Sequence, residues 1–346
     1  MPYQRTVSYW IARAPDVDNA WLDQAAIRSL NRTLADPARA LPIYDLNSLD
    51  TSALEPMLQR RINYLYQMLR QGHYRFLSSP SGRIELLPPN WLTNLAPSLH
   101  IAKAPVPIYC GPSQAQLVAV DDPLQLDRNR CSTVQAGEDI QVLATWPNGM
   151  RLARTYYAFG WISGDAPLSG PRSELSQPFA DGPTLPLTRR RWLHQAFALL
   201  DHPYGWGGEK NGLDCSSFVM QVFRPFGLKL PRNSRQQMRA IPRTIEVPAG
   251  ASYAERLWLI DSAQRQGVVL LHFPGHIMIY LGRDHRGTPM VIHAFAQYLK
   301  PCSSADQRET RMLVNRVDIS PLSLGEHTST GSLLSRIDMV GTLSTQ

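Results

Sequence analysis

The chain has 346 residues, 43% of them hydrophobic and 18% charged, with a formal net charge of +7. This length exceeds one typical domain and predicts two or three compact units. No run approaches the roughly 18 to 20 apolar residues that cross a bilayer, so no membrane span is expected.

A positive surface favours anionic partners. Outside Arg189, Arg190 and Arg191, however, the basic residues are scattered, without zinc-finger spacing or an aromatic RNA-binding motif. No nucleic acid partner is expected. The start, MPYQRTVSYWIARAP, lacks the charged-then-apolar order of a leader.

In chain order, AWLDQAAIRSLNRTL and LEPMLQRRINYLYQMLRQG repeat apolar residues every three or four positions, which predicts an N-terminal helical segment over residues 1–90. From residue 91 to 165 short β-type runs (IAKAPVPIYC, DIQVLAT, RLARTYYAFGWI) alternate with turn residues and suit a small β-barrel. Residues 166–186 are rich in Pro, Gly and Ser and read as an irregular connector. Residues 187–346 then put the helix RRWLHQAFALL and a Gly-rich loop before the strand-length runs GVVLLHF, HIMIYLG and PMVIHAF. Helices ahead of antiparallel strands predict an α+β fold.

Cys110, Cys131, Cys215 and Cys302 form neither a CxxC pair nor a zinc-type cluster with histidine, so no metal and no cofactor are expected. Cys110 and Cys131 share one strand-rich stretch. They either pair in an oxidising compartment or remain two reduced thiols.

The chemistry concentrates in Pro203-Tyr204-Gly205-Trp206-Gly207-Gly208 and Leu213-Asp214-Cys215-Ser216-Ser217-Phe218. The apolar spacing after Cys215 predicts a buried helix that starts at the cysteine. A thiol there meets the positive end of the helix dipole, which is expected to lower its pKa. A thiolate needs a base, most often a histidine held by a third polar group. His276 follows Pro274-Gly275 and opens the strand HIMIYLG, and His293 sits in the strand VIHAF. A polar ring inside an apolar strand needs a partner, and His276 is the candidate.

PYGWGG, DCSSF, PGHIMIYLG and VIHAF, in this order, resemble the NlpC/P60 family of cysteine peptidases, and LPRNSRQQ resembles the PR-x-S-x-x-Q segment of that family. The resemblance implies a papain-like catalytic domain with Cys215 as nucleophile, His276 as base, His293 as orienting residue and Tyr204 near the nucleophile. It departs at Ser217, where the family commonly has Gly. Substrate-binding roles are expected for Asp214, Ser216, Arg232 and Ser234, with Asp214 either capping the helix or holding the free ammonium of an L-alanine end.

Residues 91–165, ending in TYYAFGWI, look like a bacterial SH3 unit, and the connector like a second one reduced or lost. Members built this way are γ-D-glutamyl-diamino acid endopeptidases. The implied partners are peptidoglycan-derived peptides, met by a monomer in the periplasm or outside the bacterial cell, any leader having been removed. The rival readings are a peptidoglycan amidase, a secreted antibacterial toxin, and a non-catalytic wall-binding module.

Overall fold

The computed structural model describes residues 3–14, 17–36, 39, 41–77, 84–88, 91–93, 95–176, 185–301 and 309–344. Cys302 lies outside the described residues. The first helices and strand are α1 (Val7–Ala12), β1 (Ala20–Leu22) and α2 (Gln24–Ala35). Next come α3 (Thr51–Arg70), β2 (Tyr74–Phe76), β3 (Ser98–Ile101), β4 (Val106–Tyr109), β5 (Leu117–Ala119), β6 (Arg130–Val134), β7 (Asp139–Thr145), β8 (Arg151–Arg154) and β9 (Phe159–Ile162). The remainder holds β10 (Leu187–Thr188), α4 (Arg189–Ala198), α5 (Cys215–Phe223), α6 (Ser234–Ala240), β11 (Arg243–Glu246) and α7 (Tyr253–Gln264). It ends with β12 (Val268–Phe273), β13 (His276–Arg283), β14 (Pro289–Pro301), β15 (Glu309–Pro321), α8 (Leu333–Arg336) and β16 (Met339–Leu343). No helix among the described residues is long and apolar enough to cross a membrane.

These elements form two compact units, one of residues 1–41, 180–205 and 212–346, the other of residues 42–179 and 206–211. The segment expected as one helical piece over 1–90 is therefore divided, and the reason is where each helix finds its partners. In the first unit β1 pairs with β10, and the Asn31 side chain of α2 donates to the Gly227 carbonyl at 2.8 Å and accepts from the Lys229 N–H at 2.9 Å. In the second unit α3 instead buries Leu54, Leu58, Ile62 and Leu65 with Phe76, Leu117, Leu152 and Trp161.

The second unit carries an antiparallel six-stranded sheet in the order β3-β7-β8-β9-β4-β6. Trp91, Trp146 and Trp161 meet in its core with ring centres 4.8 to 5.3 Å apart. The connector is less irregular than its composition predicts. Leu168 and Arg172 bridge to Ala102 and Leu99, so its first part runs along β3. Residues 177–184 of it lie outside the described residues.

Cys110 and Cys131 are disulfide-bonded, which resolves the pairing that their spacing left open: β4 and β6 are neighbours in the sheet and bring the two Cα atoms to 5.2 Å. The bond closes a loop of 21 positions. Loop entropy of that size contributes about 3 kcal/mol. Reduction, or Cys110→Ser with Cys131→Ser, should lower the unfolding midpoint of this unit accordingly in a thermal melt. An unchanged midpoint would show that the bond constrains nothing.

The first unit is built on the antiparallel sheet β11-β16-β12-β13-β14-β15, with α4, α5 and α6 ahead of it in sequence and α7 and α8 between its strands, an α+β arrangement as expected. Strand alternation sends Val269, Leu271, Phe273, Met278, Tyr280, Val291 and Val340 into one cluster with Ile260 and Ala263 of α7. The intervening Leu270, Ile277, Ile279, Leu281 and Ile292 are buried on the opposite face. α5 packs on β13 and β14 through its buried residues Phe218, Val219, Val222 and Phe223.

Candidate active site

Asp214 starts α5. Its carboxylate accepts the Ser217 N–H at 2.9 Å, the usual way a short acidic side chain satisfies an orphan donor of the first turn. The Gly-rich approach is pinched shut behind it: the Leu213 N–H donates to the Pro203 carbonyl at 2.9 Å, and the Gly205 N–H to the Leu213 carbonyl at 3.3 Å. Gly212 makes this possible, because a Cβ there would fall 2.5 Å from the Gly205 nitrogen. Tyr204, half-buried, is fixed by its N–H donating to the Asn315 carbonyl of β15 at 2.9 Å.

Cys215 is thus the first residue of α5 and is buried. Its sulfur lies 3.9 Å from the Gly275 carbonyl oxygen and receives the Ile277 N–H, so it rests against the backbone on both sides of His276. His276 Nε2 and His293 Nδ1 are 2.7 Å apart, and His293 Nε2 and Ser320 Oγ are 3.1 Å apart. His293 is wholly buried and stacks on Phe295, ring centres 4.0 Å apart.

The chain of hydrogen bonds sets the tautomers. For His276 to accept a proton at Nδ1, its Nε2–H must donate to His293 Nδ1, and His293 then donates its Nε2–H to Ser320. Burial holds both imidazoles neutral. It lowers His276 to about 3, with the charges of Arg336 and His272 acting in the same direction, and lowers His293 well below the ordinary histidine range.

The cysteine departs from expectation. Burial pushes the Cys215 thiol up to about 12, and the Asp214 charge adds to this. The Ile277 and Ser216 N–H groups and Arg232 pull the other way and do not prevail. Desolvation at this buried helix start outweighs the dipole that the sequence reading invoked. Burial therefore favours the thiol form of Cys215 and the neutral form of His276.

Three of the four expected substrate-binding residues form one network. Arg232 pairs with the Asp214 carboxylate and donates to Ser216 Oγ at 2.8 Å, and Ser216 Oγ donates to Asp214 at 3.1 Å. Asp214 is therefore a helix cap with a cation already on it, not the unmatched anion that a role in ammonium binding supposed. Ser234 is the buried first residue of α6, capped by Asn233 and apart from these bonds. From α6, Gln237 donates to the Ser216 and Pro231 carbonyls, both at 2.9 Å, and ties the PRNSRQQ segment to α5.

Sequence reasoning missed Ser320, Arg336 and His272. Nothing marks Ser320 in the run DISP. His272, in the apolar strand VVLLHF, carries the signal that singled out His293; its Nδ1 meets Asp338 at 2.6 Å.

Residues 201–312 match the profile of the NlpC/P60 family. A search of curated proteins found no match. Among solved structures, an NlpC/P60 endopeptidase from Photobacterium damselae subsp. piscicida is 15% identical and superimposes with a TM-score of 0.66 over 95% of this chain and 94% of its own. That likeness extends the shared fold to nearly the whole chain. An NlpC/P60 family protein from Bacillus cereus ATCC 10987 is also 15% identical, covering 72% of this chain and 64% of its own, with a TM-score of only 0.30. The chain therefore carries an NlpC/P60 family domain over residues 201–312, a peptidase domain of the cysteine type.

Proposed function

We propose that the protein is a bacterial cell-wall peptide hydrolase that cleaves the γ-D-glutamyl-diamino acid bond of peptidoglycan stem peptides. The observation that carries this reading is Cys215 at the start of α5, lying against the backbone around His276, with His276 Nε2 bonded to His293 at 2.7 Å. In the reaction, Sγ attacks the γ-carbonyl carbon of D-glutamate while its proton passes to His276 Nδ1. The orphan N–H of Cys215 at the helix start, with Tyr204, receives the developing oxyanion. The C–N bond breaks as His276 protonates the departing amine, leaving an acyl group on Cys215. Water, deprotonated by His276, then releases the acid and the thiol.

The six-stranded sheet of the second unit supports its reading as an SH3-like module. The Cys110–Cys131 disulfide supports an oxidising location, periplasmic or secreted. The enzyme is read as a monomer acting on peptidoglycan-derived peptides.

A free L-alanine amino end is the preferred substrate feature. Because Arg232 already occupies Asp214, an ammonium must share that carboxylate, and the discrimination is smaller than for an unpaired one. We expect L-Ala-γ-D-Glu-diamino acid peptide to be cut about tenfold faster than its N-acetyl form, measured as kcat/KM with products identified by mass spectrometry. Cleavage at another bond would overturn the reaction assignment, and equal rates would overturn the amino-end preference.

A further inference from the structure

β14 and β15 change register in mid-course. Phe295 lies opposite Arg316 and Gln297 opposite Leu313, so Ala296 faces two residues of β15, Val314 and Asn315, and the strand carries a bulge. Asn315 takes a left-handed backbone there, with φ 50°. That conformation brings Cβ close to the carbonyl oxygen that follows; asparagine bears it better than a β-branched residue does, and glycine bears it freely. The Asn315 side chain is exposed, so the backbone conformation rather than core packing accounts for the residue type.

The bulge stands where β15 meets the chain that leads to the nucleophile. β15 is the last strand of its sheet, and residues 201–204 run along its outer edge. The Asp201 N–H donates to the Val317 carbonyl at 3.0 Å, the Val317 N–H to the His202 carbonyl at 2.9 Å, and Pro203 bridges to Arg316. The last bond of this edge is the Tyr204 N–H on the Asn315 carbonyl, at 2.9 Å. Tyr204 is therefore held by a carbonyl whose direction the left-handed residue sets. The same strand reaches His293 through Ser320 Oγ, at 3.1 Å.

We propose that Asn315 is a positioning residue for the reaction: its left-handed backbone at the β15 bulge aims the carbonyl that fixes Tyr204 beside the developing oxyanion. This rests on the oxyanion role given to Tyr204 above. A residue that drives the bulge out of the left-handed region turns that carbonyl away and frees Tyr204. Cys215 keeps its place at the helix that Asp214 caps, and His276 keeps its bond to His293. Support of an oxyanion counts only in the transition state, so the loss falls on kcat and not on substrate binding.

The test measures kcat and KM on L-Ala-γ-D-Glu-diamino acid peptide, with a thermal melt for each protein. The proteins are wild type, Asn315→Val, Asn315→Gly, Tyr204→Phe and the double variant of Asn315→Val with Tyr204→Phe. Asn315→Val should lower kcat about tenfold with KM little changed, the effect of a displaced catalytic group. Asn315→Gly keeps the backbone conformation without the side chain and should stay within about twofold of wild type. Tyr204→Phe should lower kcat about a hundredfold, the scale of one lost oxyanion donor. Asn315→Val should then take little further from it, because a residue that acts through Tyr204 has nothing left to position. If Asn315→Val does not fold, Asn315→Ala, without the β-branch, carries the same comparison. Equal losses in Asn315→Gly and Asn315→Val would overturn the proposal, since the side chain and not the conformation would then matter. Losses that multiply in the double variant would overturn it too, because Asn315 would act by another route, as would wild-type kcat in a folded Asn315→Val. Wild-type turnover in Tyr204→Phe would remove Tyr204 from the oxyanion site and the proposal with it. A wild type that cuts none of the peptide would overturn the reaction itself, a result distinct from all of these.

Discussion

Cys215→Ala should reduce peptide hydrolysis by a factor on the order of 10⁵ to 10⁶, to background, while the thermal unfolding midpoint shifts little. The reaction as proposed has one nucleophile, and no other described cysteine is free. Alanine keeps the helix start, because the cap belongs to Asp214 and its bond to the Ser217 N–H, neither of which involves the sulfur. Only the sulfur contact to the Gly275 carbonyl and the Ile277 N–H is lost. Steady-state turnover beside a melt checks both halves. Turnover near wild type in Cys215→Ala would remove the cysteine from the mechanism.

His276→Ala should cost roughly a thousandfold or more in kcat/KM, and His293→Ala less, because the first removes the proton carrier and the second only its orientation. The gap should be large, since a thiol held near 12 has almost no thiolate of its own to fall back on. In His293→Gln the side-chain amide can accept the Nε2–H of His276 and should restore part of the rate.

The pH dependence follows from the same burial. A neutral imidazole lowered to about 3 stays competent through the range where free histidine protonates, so the acid limb of kcat/KM should lie well below 6.5. Stability moves with it. Between the unfolded value of about 6.5 and the folded value, the unfolded chain binds more protons, so stability falls as pH falls through that window. The folded fraction must therefore be followed alongside the rate. Equal losses in the two alanine variants, or an acid limb near 6.5 in a fully folded protein, would contradict these roles.

The sequence made the catalytic half of the chain legible because its signals are local. The apolar spacing after Cys215 marked α5, and Pro274-Gly275 marked the strand that begins at His276. Ser320 was not legible: its contact with His293 depends on the register of β14 against β15, which no local pattern encodes. Arg336 stacks on Phe273 and its charge acts on His276, and residue spacing gives no hint of that placement.

The split of the first 90 residues was hidden for a related reason. α2 and α3 show the same periodicity, and only their tertiary partners send one to each unit. The thiol pKa was misjudged because the dipole can be read from a sequence, whereas the depth of burial opposing it cannot.

The central claim is that Cys215 carries the acyl half of a stem peptide between two steps. Its most direct test is a rapid-quench intact-protein mass spectrum with L-Ala-γ-D-Glu-diamino acid peptide, followed by fragment mapping. The account predicts a transient adduct with the mass of the L-Ala-γ-D-glutamyl group, on the fragment that contains Cys215, decaying as the dipeptide acid appears. Hydrolysis that proceeds with the adduct on another residue, or an adduct whose mass corresponds to a different bond, would contradict it.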